Sequence, residues 1–125
     1  MSQNVISIRP FIGARDFALC RNFYKDLGFE ESVLSHNMSY FSKQAMGFYL
    51  QDAYVKDWID NTMLFLEVEN VDRYWDELLA LDLPGKYEGV RLVPMRHETW
   101  VKSFSCTTHR EFCGILVNFL KPNHN

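Results

Sequence analysis

Apolar residues follow two rhythms along this chain, and the order of those rhythms repeats. Phe17, Cys20, Phe23, Tyr24 and Leu27 recur at spacings of three and four, which places them on one face of a helix. Asp16 stands where an N-cap side chain accepts the first free N–H groups, and Gly28 where a helix end needs a left-handed residue. On either side the period shortens to two. The pattern predicts strands over 5–12, 29–34, 38–42 and 47–51, with Pro10 marking an edge or a bulge in the first.

The second half follows the same plan. A strand is predicted over 63–69, then a helix over 71–81 behind the cap residue Asn70, with Val71, Tyr74, Trp75, Leu78 and Leu79 apolar. Pro84-Gly85 reads as a break, and 96–98 and 108–114 as turns between strands over 90–95, 100–107 and 115–120. A shift of 54 lays Asp16 on Asn70, Leu27 on Leu81 and Ile12 on Leu66. Later the shift becomes 67, laying Gly47 on Gly114 and Gln51 on Asn118. The chain is therefore expected to be one α+β domain over 1–125, built from two β-α-β-β-β modules at about 1–60 and 61–125.

Composition narrows the function classes. Hydrophobic residues make up 47%, which excludes a disordered chain, and aromatics reach 15%, enough to line a cleft as well as fill a core. The net charge is −3 with Lys and Arg scattered, so no basic stripe points to nucleic acid. The N-terminus lacks the pattern of a signal peptide, and no stretch approaches the about 18 apolar residues of a membrane span. A cytoplasmic protein is expected, with Cys20, Cys106 and Cys113 as reduced thiols. His36, His97, His109 and His124 fall in turns or the tail without metal-type spacing. His97 and Glu98 adjoin, but neighbours on a strand face opposite ways. No Gly-x-Ser-x-Gly or glycine-rich phosphate loop is present.

Three segments carry a family resemblance. Phe23-Tyr24-Lys25-Asp26-Leu27-Gly28-Phe29, Glu69-Asn70-Val71-Asp72 and Cys113-Gly114-Ile115-Leu116-Val117-Asn118-Phe119 resemble the first helix ending, the second helix start and the last strand of the vicinal oxygen chelate superfamily. That group includes glyoxalase I, extradiol dioxygenases, fosfomycin-modifying enzymes and bleomycin resistance proteins. One departure is the loop 108–114, where the family's Asp-Pro-x-Gly keeps only its glycine. The resemblance implies a curled mixed sheet with a concave cleft, helices outside, and a homodimer whose clefts are completed across the subunit contact.

Metal-using relatives take four ligands from the first and last strands of the modules, which correspond here to Arg9, Gln51, Met63 and Asn118. Arginine cannot ligate, and a thioether suits a hard dication poorly. No catalytic metal and no cofactor is expected. The resemblance then favours a bleomycin-resistance-like member that binds a small organic molecule. By period two, Ser7, Arg9 and Phe11 face inward together, as do Tyr49 with Gln51, Met63 with Phe65 and Glu67, and Leu116 with Asn118 and Leu120. The ligand-contacting set expected is Arg9, Tyr49, Gln51, Phe65, Glu67 and Asn118, with the loop aromatics Tyr54, Trp58 and Trp100. Arg9 either anchors a ligand's anion or pairs with Glu67. Trp75 is assigned to core or interface. The alternatives are a metal-dependent glyoxalase-type lyase, isomerase or dioxygenase, and an interaction module without a ligand.

Overall fold

The structure, a computed structural model, describes residues 3–57, 63–97, 101–107 and 116–122, of which 95–97, 101–105, 107 and 116–122 are described in backbone only. Both main helices start at the expected caps. The Asp16 carboxylate accepts the Leu19 N–H at 3.1 Å and opens α1 (Phe17–Asp26). The Asn70 side chain accepts the Arg73 N–H at 3.0 Å and opens α2 (Val71–Leu81). Gly28, at φ +98, turns the chain out of α1 through the left-handed region.

Strands β1 (Phe11–Ala14), β2 (Glu30–Ser35), β3 (Met38–Lys43) and β4 (Met46–Asp52) form one sheet in the order β1-β4-β3-β2. Strands β5 (Met63–Glu67), β6 (Arg91–His97), β7 (Val101–Thr107) and β8 (Leu116–Pro122) form the other in the order β5-β8-β7-β6. In each, the first strand runs parallel to the fourth and the remaining pairs are antiparallel. The architecture is the expected α+β pair of modules, with the mixed sheet divided four and four.

Three boundaries differ from the expected pattern. The first strand begins at Phe11 rather than at 5, because Pro10 has no N–H to give and offers only its carbonyl, to the Tyr49 N–H at 2.9 Å. β6 continues through Arg96 and His97, past a register shift after Val93. Pro84-Gly85 lies inside a single helical turn, α3 (Leu83–Lys86), where a proline in the first turn loses no hydrogen bond. The repeat also slips by two residues near its end. Phe11 pairs with Tyr49 and its counterpart Phe65 pairs with Asn118, so Tyr49, not Gln51, corresponds to Asn118.

The core lies on the helix side of both sheets and runs across the modules. Ile12, Ala14, Phe41, Phe48 and Leu50 bury against Cys20, Phe23, Tyr24 and Leu27 of α1, and Val71, Leu78, Leu83, Tyr87, Val90 and Cys106 extend the cluster into the second module. Each fully buried large side chain contributes about 1.5–3 kcal/mol. Trp75 packs half-buried against this cluster, as its helical position predicts. Polar bonds cross the same seam: Tyr87 donates to Asp26 at 2.5 Å, and Lys43 Nζ donates to the Tyr74 hydroxyl at 2.8 Å. Cys106 is a free, fully buried thiol, its pKa pushed up to about 12 by desolvation. Cys20 is disulfide-bonded, so the expectation of three reduced thiols fails there, and the cytoplasmic expectation loses that support. Among the described residues no helix is long and apolar enough to cross a membrane.

Candidate functional site

The strand alternation that buries Ile12, Phe48, Leu50 and Phe41 turns Phe11, Tyr49 and Tyr40 to the other face of the first sheet. Pairing of Phe11 with Tyr49 and of Tyr49 with Tyr40 sets these rings in a row across three strands. Phe11 and Tyr49 stack with centroids 4.7 Å apart at 17°, and Tyr40 lies 5.2 Å from Tyr49 at 46°. Gly47 makes room for this arrangement, since a Cβ there would run into the Phe41 carbonyl and the Tyr40 ring.

Arg9 completes the cluster from just ahead of β1. Its guanidinium carbon stands 4.5 Å over the Tyr40 ring, and Nη1 donates to the Tyr49 hydroxyl at 3.3 Å. The Tyr49 hydrogen bond, aided by the two nearby phenols, raises its pKa above the usual arginine value despite some desolvation, so the charge is fixed. Arg9 forms no ion pair with Glu67 or with any other described acid; Glu67 stands on β5 of the other sheet. Gln51 shares the face of Tyr49, half-buried and paired with Gly13 and Met38. Tyr54 lies past the end of β4, exposed, beneath the Arg15 guanidinium at 4.9 Å.

The second sheet presents its own open face. Met63 and Phe65 are 47% and 63% exposed, and Glu67 is exposed beside them. Phe65 pairs in register with Asn118, whose side chain lies outside the described residues, as do Trp58 and Trp100. The structure thus gathers Arg9, Tyr49 and Gln51 on one sheet and Phe65 and Glu67 on the other. Sequence reasoning misses Tyr40. Its signal was present in the alternation over 38–42, which sets it opposite Phe41, and in the short turn that places it across from Tyr49.

Two other features of the molecule bear on chemistry. A groove of about 240 Å³ lies between the modules, lined by Asp26, Leu27, Lys43, Tyr74, Glu77 and Leu81. Lys43 reaches across it and bonds Tyr74, and the groove shares no residue with the aromatic row. Among the described residues no three His, Cys, Asp or Glu side chains converge as a metal site would require. The positions that the resemblance assigns to metal ligands do not fit one either, because Arg9 is a fixed cation bonded to Tyr49 and Met63 offers only a soft thioether.

No protein-family model matches the chain, and no curated protein matches it in sequence. Solved structures match its fold. The bleomycin resistance determinant encoded on the transposon Tn5 superposes with a TM-score of 0.76 at 12% identity, covering 96% of this chain and 100% of that one. The bleomycin-binding protein of bleomycin-producing Streptomyces verticillus, complexed with copper(II)-bleomycin, gives 0.75 at 18% identity, covering 94% and 96%. The fosfomycin resistance protein FosX of Listeria monocytogenes, complexed with Mn(II) and sulfate, gives 0.67 at 14% identity, covering 94% and 91%.

Proposed function

For a chain with the vicinal oxygen chelate fold, we propose metal-independent binding of a small organic molecule, in the manner of the bleomycin-binding proteins whose fold it has. The observation that carries this reading is the row Arg9, Phe11, Tyr40 and Tyr49. It is an exposed aromatic surface with a fixed cation set into it and Gln51 beside it, the mixture of apolar wall and few polar groups from which small-molecule sites are built. Exposed apolar side chains on the second sheet, Met63 and Phe65, support a second element of the reading. The chain acts as a homodimer in which one copy's second face closes over the other copy's first face. That assembly joins Arg9, Tyr49 and Gln51 to Phe65, Glu67 and Asn118 in one cleft, with Tyr54, Trp58 and Trp100 at its rim. β1 and β5 each have one open edge through which copies can approach.

The donor set argues against a metal-dependent lyase, isomerase or dioxygenase. Metal analysis of the purified protein, with thermal shift against bleomycin and a panel of aromatic acids and amines, tests the reading. A ligand at a hundredfold excess over Kd stabilises by about 2.7 kcal/mol. About one tightly held Ni, Zn or Mn per chain would overturn the metal-free reading. No shift with any compound would favour a module without a ligand.

A further inference from the structure

Arg9 is held in place without being neutralised, and that constrains the ligand. It spends one N–H on Tyr49 and one face on Tyr40, which leaves further donors of its fork uncommitted. It is exposed, and no described carboxylate pairs with it. A guanidinium already fixed by two tyrosines loses little further freedom when it takes up an anion, and its planar fork matches a carboxylate's two oxygens. Beside it, Phe11 and Tyr49 lie nearly parallel, and Phe11 is 59% exposed, so a ring plane is open to a further ring.

Resting on the small-molecule reading above, we propose that this face takes a flat aromatic carboxylate, its ring laid against Phe11 and Tyr49 and its carboxylate held by Arg9. A cationic ligand meets the wrong charge there. The acid on the same face of the first sheet is Glu30 on β2, paired with Ser42, two strands across and two residues along and so about 12 Å from Tyr49, and the Glu67 that the proposed dimer brings to the cleft stands on the other sheet. A thin or branched aliphatic acid satisfies Arg9 but leaves the ring platform uncovered. The site therefore asks for both features in one molecule.

The test compares three probes of one shape: naphthoate, naphthylmethanol and naphthylmethylammonium. Affinities come from calorimetry at physiological salt, and the location from NMR shifts of the Arg9 Nε–H and of the Phe11, Tyr40 and Tyr49 rings. Naphthoate is expected to bind about tenfold or more tightly than the ammonium probe, as a charge-assisted bidentate contact allows. Arg9→Met should bring the three probes to equal affinity. Arg9→Lys should keep the order and shrink the gap, because lysine keeps the charge and loses the fork. Tyr49→Phe should weaken naphthoate alone, by releasing Arg9 while keeping the ring. Arg9 is exposed, so circular dichroism of its variants should match the parent. Ammonium binding equal to or better than naphthoate, at these same rings, would overturn the ligand class and leave the small-molecule reading standing. Shifts confined to the groove around Lys43 would also overturn it. If none of the three probes moves Phe11, Tyr40 or Tyr49, both the class and the site reading fall.

Discussion

Glu31, on β2, is an acid bonded on several sides. It accepts from Arg21 Nε at 2.5 Å and Nη2 at 3.1 Å, and from Ser39 Oγ at 2.6 Å, with Lys25 Nζ 3.6 Å away. Arg21's hydrogen bonds first, then Ser39's and the nearby charges, hold its carboxyl below the usual range against the opposing effect of desolvation. A folded-state pKa below the unfolded one means that the stabilisation is present at neutral pH. It is lost as pH falls below the ordinary glutamate range toward the folded value. Urea midpoints should therefore hold steady down to about pH 5 and drop below about pH 4. Glu31→Gln should cost about 1–2 kcal/mol near neutrality and flatten part of that acid limb. Tyr24 is the opposite case. Its ring packs against Phe29, Phe41 and Phe48, its hydroxyl is buried without a hydrogen-bond partner, and burial first, then the Cys106 thiol, raises its pKa well above the tyrosine norm. Tyr24→Phe should leave the fold intact and raise stability by about 1 kcal/mol, read as a higher Tm. Helical spacing already marked Tyr24 as core. The isolation of its hydroxyl was not legible, because that depends on strands far away in sequence. The same holds for Arg9. Its place beside Tyr49 follows from period two, whereas its seat on Tyr40 requires the β3–β4 register.

At the scale of elements, the caps were the most legible feature. A side chain bonding a backbone N–H three residues on is a local event, and Asp16 and Asn70 both perform it. Strand limits were less so. Pro10 holds back the start of the ladder to Phe11, six residues later than the β-rich run 5–12 implies, and Val5, Ile6 and Ile8 are left exposed. Pro84-Gly85 looks like a break because either residue can stop a helix, yet Pro84 sits where a helix can begin. Gly47 had no sequence signature of its own. Its role comes from the Tyr40 ring that crosses it on β3. Gly47→Ala should destabilise by about 1–3 kcal/mol through overpacking. The same substitution should lower naphthoate affinity, since Tyr40 has to leave its place under Arg9; urea melts and calorimetry on one variant check both effects.

At the scale of the molecule, the duplication of the module was legible from cap and helix spacing, and the two sheets repeat one strand order with the same parallel first–fourth pairing. The distribution of the candidate site was not. Arg9, Gln51, Glu67 and Asn118 looked like one inward set, but they stand on two sheets. That separation makes the dimer the central physical question. Light scattering should give twice the 14.8 kDa chain mass. Phe65→Glu places a charge on the proposed contact and should yield a monomer with an unchanged far-ultraviolet spectrum. A parent chain that is already monomeric at high concentration would leave the two faces unjoined and sink that assembly.

Among the described residues the core is confined to the helix side of the sheets, so the open face of the first sheet carries little of the packing that holds the chain together. Ligand preference and foldedness can then vary as nearly separate traits. Randomising Phe11, Tyr40 and Tyr49 should change what is bound in many members of a library while most remain folded, whereas the same freedom at Ile12, Phe23 and Leu50 should leave few folded at all. A surface that can be rewritten without disturbing the interior can change what it contacts one residue at a time.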